Sequence, residues 1–211
     1  VPQTPALTLE NPISSEMAEM RLSLVPGLLA TLTQNAARQI DRVRIFESGL
    51  RFIPEGNDLH QIDTLAGLIS GDRWSEQWGA ERRPVDFFDA KADVEAVLAL
   101  GGQGAEYRFV ADEHAALHPG QTARVLKGDQ PVGWLGAVHP ALAAELDLEA
   151  PAVVFELDIA PVLAANVPAF APISRYPAIR RDLAVLVDEQ IPAVELVAAA
   201  RAAAGPALSS A

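Results

Sequence analysis

The sequence predicts an α+β fold in which an antiparallel sheet is flanked by helices. Short β-like runs follow one another without regular alternation with helices, and Lys127–Gln130 has the composition of a hairpin turn between two of them. Regular strand–helix alternation would instead favour a parallel sheet. Half of the 211 residues are apolar, which is enough for a packed core.

Apolar spacing predicts the first helix. Val25, Leu28, Leu29 and Leu32 recur at the period of an amphipathic helix, and Pro26 suits its first turn. Three further helices are predicted: one capped by Asp89 and ended by Gly101-Gly102, one over 140–146, and one over 192–204.

Strands are predicted from β-branched and alternating apolar runs. They cover residues 6–10, 43–53, 62–70, 107–110, 122–126, 131–138, 153–159 and 183–187. Gly49 predicts a bulge in the second of these strands, and Pro54–Asp58 has the composition of a turn. Residues 71–84 are polar, carry Trp74 and Trp78, and are predicted to form an irregular connection.

The chain is predicted to contain one domain and part of another. Residues 1–163 form the predicted core domain, and residues 164–172, which are small, uncharged and contain two prolines, form a predicted linker. Residues 173–211 then begin a second, incomplete domain. Because the first residue is Val1 rather than methionine, the chain is predicted to be a piece of a longer protein.

Composition limits the possible functions. No cysteine is present, so disulfides, thiolate nucleophiles and sulfur-ligated metals are excluded, and a reducing cytoplasm is the expected location. The net charge of −12 disfavours DNA and unspecific nucleic-acid binding. No apolar run approaches the ~20 residues of a membrane helix, so no membrane association is expected.

Catalytic and metal-binding patterns are weak throughout. His114 and His118 lie four apart, but Pro119-Gly120 follows and no third ligand is placed by spacing, so a loop is favoured over a metal site. Gly101–Gly104 follows a predicted helix and precedes a strand, the reverse of a phosphate-binding loop. We therefore expect no catalytic residue, cofactor site or metal site in this chain.

Two polar sets are not explained by packing alone. Arg21, Asn35 and Arg38 accompany the first helix, where a plain surface helix would not require them, and they are candidates for a structural or subunit-interface role. The second set is a basic run before strand 183–187, and it is equally compatible with a basic linker preceding an edge strand. Its members are Arg175, Arg180 and Arg181.

Several stretches along the whole chain occur in a characteristic order: residues 11–17, 20–24 and 26–29 with 35 and 38, residues 44–52, Asp86–Asp93, Leu117–Ala123, Gly133–Pro140, and residues 174–177 and 179–183. Together they resemble the C-terminal part of the bacterial phenylalanyl-tRNA synthetase β subunit. Each stretch alone would be a weak signal. Their occurrence in the order of the family makes the resemblance strong.

The resemblance implies a class II synthetase-like core without its chemistry, followed by the start of a ferredoxin-like anticodon-binding domain. Arg51 is followed by Phe52-Ile53-Pro54 rather than by an acidic residue, and Gly133–His139 lacks an arginine. The groups that would hold ATP phosphates are therefore expected to be missing. The resemblance further implies a catalytic α subunit as partner in an α2β2 assembly, ATP and magnesium used by the whole enzyme, and tRNA contacts at Arg175, Arg180 and Arg181.

Two other classes of function remain open at the sequence level. A free-standing RNA-binding or interaction module is disfavoured by the acidic balance. An unrelated α+β metabolic enzyme is disfavoured because no catalytic constellation is present.

Overall fold

The structure is a computed structural model, and it describes residues 5–56, 58–165, 170, 175–205 and 208. The chain divides into two compact units, residues 1–169 and residues 170–211. The predicted linker at 164–172 lies mostly outside the described residues. Within the described part of the chain, no helix is long and apolar enough to cross a membrane.

Unit 1 is built on a six-stranded sheet in which all neighbouring strands are antiparallel. The strands are β1 (Val43–Glu55), β2 (Asp58–Ser70), β3 (Tyr107–Ala111), β4 (Leu117–Lys127), β5 (Gln130–Val138) and β6 (Ala152–Asp158). Their order across the sheet is β1-β2-β6-β5-β4-β3. The last strand in sequence therefore inserts at the centre, where six of its seven residues are buried. The predicted antiparallel α+β architecture is confirmed.

Helices cover both faces of the sheet. They are α1 (Val25–Ala36), α2 (Phe87–Ala99), α3 (Pro140–Glu145) and α4 (Ile159–Leu163). The predicted stripe of α1 is confirmed, because Val25, Leu28, Leu29 and Leu32 are its buried residues. They form one apolar cluster with sheet residues, and a second cluster on the opposite face contains Val94 and Leu98 of α2. Successive side chains of a strand point to opposite faces of the sheet, so the sheet contributes residues to both clusters.

Three local predictions in unit 1 are wrong. Residues 6–10 form only a single bridge, between Thr8 and Glu19, rather than a strand. Gly49 is not a bulge, because β1 and β2 stay in continuous register from Val43 to Glu55. Asp89 is not the N-cap of α2. Asp86 holds that position, and the Asp89 side chain accepts a hydrogen bond from the Asp86 backbone N–H at 3.0 Å, which completes a capping box.

Unit 2 contains one described helix, α5 (Ala193–Ala204), close to its predicted limits. The predicted strand at 183–187 is wrong, because this segment pairs with no strand among the described residues of the unit. Leu183 and Leu186 are almost fully exposed there, at 85% and 104%. An extended apolar run becomes a strand only when a neighbour satisfies its backbone hydrogen bonds.

Candidate functional site

The sheet face that carries α1 is apolar at one end and charged at the other. Directly opposite residues of antiparallel strands share a face. One row of such partners crosses five strands and consists of Glu47, Ala66, Glu156, Trp134 and Arg124. On one side of this row, Leu68 and Val154 pack with α1. On the other side, the next partners are Gly49, Thr64 and Asp158.

The charged groups at and beyond that row are here called the charged face. They are Arg21, Glu47, Arg51, Asp112, Arg124, Glu156 and Asp158. Arg21 reaches the face from the segment preceding α1, Asp112 lies in the loop between β3 and β4, and the other five lie on strands. Three arginines on one sheet face could in principle hold an anion, so their partners decide what this face can do.

Each of the three guanidinium groups is bound by a carboxylate of the same face. Arg51 Nη2 lies 2.6 Å from Asp158 Oδ1, and both side chains are largely shielded from solvent. Arg124 Nε donates to Asp112, whose pKa is lowered chiefly by that hydrogen bond. The Nε of Arg51 is buried and has no partner among the described residues, so this guanidinium is only partly satisfied.

Arg21 occupies space that Gly49 leaves open. Its Nη1 lies 2.5 Å from Glu47 Oε1, and its Nε donates to the Leu50 carbonyl oxygen at 2.7 Å. The backbone oxygen of Arg21 also accepts from the Phe52 N–H at 2.9 Å. A Cβ at Gly49 would lie 2.3 Å from Arg21 Nη2. The glycine in β1 therefore leaves room for the Arg21 guanidinium, which an added Cβ would displace, and it does not form a bulge.

Glu156 is the buried member of the charged face, with 4% of its surface exposed. Its Oε1 accepts hydrogen bonds from the Leu24 N–H at 2.7 Å and the Ser23 hydroxyl at 2.9 Å. Burial raises the pKa of Glu156, while these two donors and the charge of Arg51 act to lower it. The carboxylate thus fixes the first turn of α1 to the central strand.

His114 lies beside the row of strand partners that borders the charged face. Its ring stacks on Trp134 with centroids 4.5 Å apart, and its Nδ1 accepts from the Ala116 N–H. Burial lowers the pKa of His114, so the ring is held neutral. His118 Nδ1 accepts from the Gly120 N–H at 3.0 Å. The described residues contain no group of three or more His, Cys, Asp or Glu placed to hold a metal ion.

The other candidates from the sequence lie in different places. The Asn35 side chain donates to the Thr31 carbonyl oxygen within α1 at 2.8 Å, and Arg38 is exposed just beyond that helix. Neither joins the charged face. Arg175, Arg180 and Arg181 lie in unit 2, and all three are exposed in a segment that is neither helix nor strand. Their predicted contacts with a subunit and with tRNA stay predictions.

Sequence reasoning missed most of the charged face. Glu47, Arg124, Glu156 and Asp158 lie on three strands that meet only in the folded sheet. One signal was present in the sequence. Glu156 is the only charged residue in an otherwise apolar run from Ala152 to Leu157, and a lone charge in a buried strand requires specific partners.

Comparison with known proteins decides the family. Residues 2–159 match the model of the phenylalanyl tRNA synthetase beta chain CLM domain. The chain belongs to the phenylalanyl-tRNA synthetase β chain family. A phenylalanine–tRNA ligase beta subunit from Methylococcus capsulatus is 49% identical over 205 residues, covering 97% of this chain and 26% of that protein. The corresponding subunits of Pseudomonas syringae pv. tomato and Vibrio cholerae are 50% and 47% identical, covering 97% and 100% of this chain.

The family resemblance found in the sequence is thus confirmed. The chain spans about a quarter of the length of these curated relatives. A solved structure of a pyrrolysyl tRNA synthetase from Desulfitobacterium hafniense superimposes with a TM-score of 0.51 at 19% identity, covering 72% of this chain and 51% of that one. The class II synthetase-like fold of the core is therefore confirmed, and this likeness concerns the fold alone.

The contact between Gly49 and Arg21 predicts a reversal of sign in a mutant pair. Alanine is normally more stable than glycine in a strand by about 0.5–1 kcal/mol. In the R21A background, G49A should show that gain in the free energy of unfolding. With Arg21 present, the new Cβ displaces the guanidinium, so G49A should lose the gain or destabilise. Urea unfolding of the four proteins measures the coupling, and additive effects would contradict the packing described here.

Glu156 predicts a pH dependence of stability. Because its pKa is raised in the folded state above the ordinary 4.5, its contribution to stability is fully present below pH 4.5 and is lost as pH rises through the folded pKa. E156Q keeps an acceptor for Leu24 and Ser23 without a charge. The stability of E156Q relative to the parent should therefore rise with pH across this window. E145Q on α3 is the control for the loss of one charge. A stability difference between E156Q and the parent that does not change with pH would refute the prediction.

Proposed function

We propose that this chain is the non-catalytic, synthetase-like part of the β subunit of a phenylalanine–tRNA ligase. Its role is to pair with the catalytic α subunit in an α2β2 assembly in the cytoplasm. Family membership and the synthetase-like fold support this role. ATP and magnesium are used by the whole enzyme and are bound outside this chain.

The observation that carries the proposal is the internal pairing on the charged face. Activating an amino acid with ATP requires cationic groups free to bind phosphate oxygens. Arg21, Arg51 and Arg124 are instead bound to Glu47, Asp158 and Asp112. Glu156 adds a carboxyl group among them, so the face offers no excess of positive charge to a triphosphate. The fold is kept for holding partners rather than for chemistry.

The α1 helix is the part of the chain best suited to hold the α subunit. Its buried stripe faces the sheet, while Ala30, Thr31 and Gln34 remain exposed along the outer side. Asn35 and Arg38 belong to the same end of the helix. We assign these two residues to the subunit interface, whereas Arg21 acts within the chain through Glu47 and Leu50.

Unit 2 is proposed to begin the ferredoxin-like anticodon-binding domain. Residues 1–169 contain 24 acidic and 12 basic side chains, whereas residues 170–211 contain four of each. Unit 2 therefore lacks the net negative charge that would repel RNA. The relatives are far longer than this chain, so a partner strand for the exposed run at 183–187 can come from the rest of the subunit.

Assembly with the α subunit tests the proposed role. The full-length β subunit alone should show no ATP–pyrophosphate exchange, and exchange should appear when the α subunit is added and a stable complex forms. R38A should weaken the complex more than R108A, which removes an exposed arginine on β3. Exchange by the β subunit alone would support an independent enzyme, and the absence of a complex would support a separate interaction module. Either result contradicts the proposal.

The exposed arginines of unit 2 give the test of tRNA contact. In the assembled enzyme, R175A/R180A/R181A should weaken tRNA binding and reduce the slope of log affinity against log salt by about 2–3, since each phosphate contact contributes about 0.7–0.9. R201A on α5 is the matched control within the same unit. Unchanged affinity and slope in the triple variant would remove these arginines from the tRNA site.

A further inference from the structure

The connection between β2 and α2 is an irregular loop with a closed base. We call residues 72–84 the tryptophan loop, because it carries two of the three tryptophans in the chain. Asp72 and Pro84 form an isolated antiparallel bridge, and the Arg73 N–H donates to the Arg83 carbonyl oxygen at 2.9 Å. The two ends of the loop are therefore held together by backbone hydrogen bonds.

A buried carboxylate fixes this base to α2. Both carboxylate oxygens of Asp89 accept hydrogen bonds from the guanidinium of Arg83, at 2.8 and 2.9 Å. Arg73 Nε lies 3.2 Å from Asp89 Oδ1. Burial acts to raise the pKa of Asp89, but the hydrogen bonds and charges of the arginines outweigh it, so that the pKa is lowered. Arg42 of the segment before β1 donates to the carbonyl oxygens of Asp72 and Arg73. The base of the loop is therefore held by its own backbone hydrogen bonds, by Asp89 of α2 and by Arg42.

The tip of the loop projects its aromatic side chains into solvent. Trp78 is fully exposed, and Trp74 is half exposed with the Arg73 guanidinium 5.2 Å from its ring centroid. Single exposed apolar residues are common on protein surfaces and need no explanation. Here, however, the largest apolar side chain is held on a base fixed by a bidentate ion pair. Holding the loop in place lowers the entropy lost on binding.

The charges at the tip select the kind of partner. Glu76 and Glu81 flank Trp78 on either side, and both are exposed. Arg82 is also exposed beside Glu81, but its Nε lies 2.6 Å from Asp72 Oδ2, so its charge is offset within the loop. Carboxylates beside an exposed ring repel a phosphate backbone, which disfavours base stacking on RNA. They favour a protein surface with an apolar pocket surrounded by lysine or arginine. Tryptophan is among the residues most enriched at the energetic centre of such interfaces.

We propose that the tryptophan loop is a docking element, in which Trp78 enters an apolar pocket with a basic rim on the catalytic α subunit. This inference rests on the proposed pairing of the two subunits. It adds a second contact region, on the connection between β2 and α2, to the one assigned to α1. The acidic pair Glu76 and Glu81 guides the approach, and Trp78 supplies the buried contact.

The experiment compares variants of the full-length β subunit in binding to the α subunit. W78A should weaken the affinity by about tenfold or more, while thermal unfolding of the β subunit stays unchanged, because the Trp78 side chain is fully exposed. E76Q/E81Q should lower the association rate and its dependence on salt. L163A, which truncates another exposed apolar side chain, is the control and should bind normally.

The outcomes separate this inference from the proposed function. If W78A binds the α subunit with the same affinity as the parent, the docking role of the loop is overturned and the proposed subunit pairing stands. Loss of tRNA affinity in W78A with unchanged subunit affinity also overturns the docking role, in favour of stacking on RNA. If the parent β subunit forms no complex with the α subunit, the proposed function fails, and the partner assigned to the loop fails with it.

Discussion

The buried carboxylate of Glu156 is the constraint on which much of unit 1 depends. It lies in the central strand, where a charge is costly unless donors surround it. The Leu24 N–H and the Ser23 hydroxyl supply those donors. Satisfying Glu156 therefore fixes where α1 begins and how it lies on the sheet. Ser23 and Leu24 belong to the segment before α1, so their hydrogen bonds to Glu156 also fix that segment. Arg21 of the same segment reaches the edge strand β1 beside Gly49.

Under the proposed function, the same arrangement explains how a synthetase-like fold can be retained without synthetase chemistry. The sheet still presents arginines on the face beyond α1, but each is paired with a carboxylate of the same face. Ion pairs within the protein take the place that substrate anions would need. Fold and function separate here through a few side chains rather than through the backbone. The remaining surfaces are then available for binding partners.

Charge divides these surfaces by the kind of partner they suit. All of the net negative charge of the chain belongs to unit 1. The exposed side of α1 and the tryptophan loop therefore suit contacts with proteins rather than with RNA. Unit 2 is neutral in sum, and it exposes Arg175, Arg180 and Arg181 on a segment that is neither helix nor strand. In the proposed function, the chain therefore offers separate surfaces to a subunit and to a nucleic acid.

The sequence by itself determined the features that depend on neighbours along the chain. The period of α1, the hairpin between β4 and β5, and the stop of α2 at its glycines were predicted correctly because their causes are local. The ordered stretches also identified the family. The charged face could not be predicted, since register across five strands decides which residues of that face meet. The role of Gly49 could not be predicted either, because it depends on Arg21, which is distant in the chain. Residues 183–187 form no strand because no strand pairs with them among the described residues. No local sequence pattern specifies either partner.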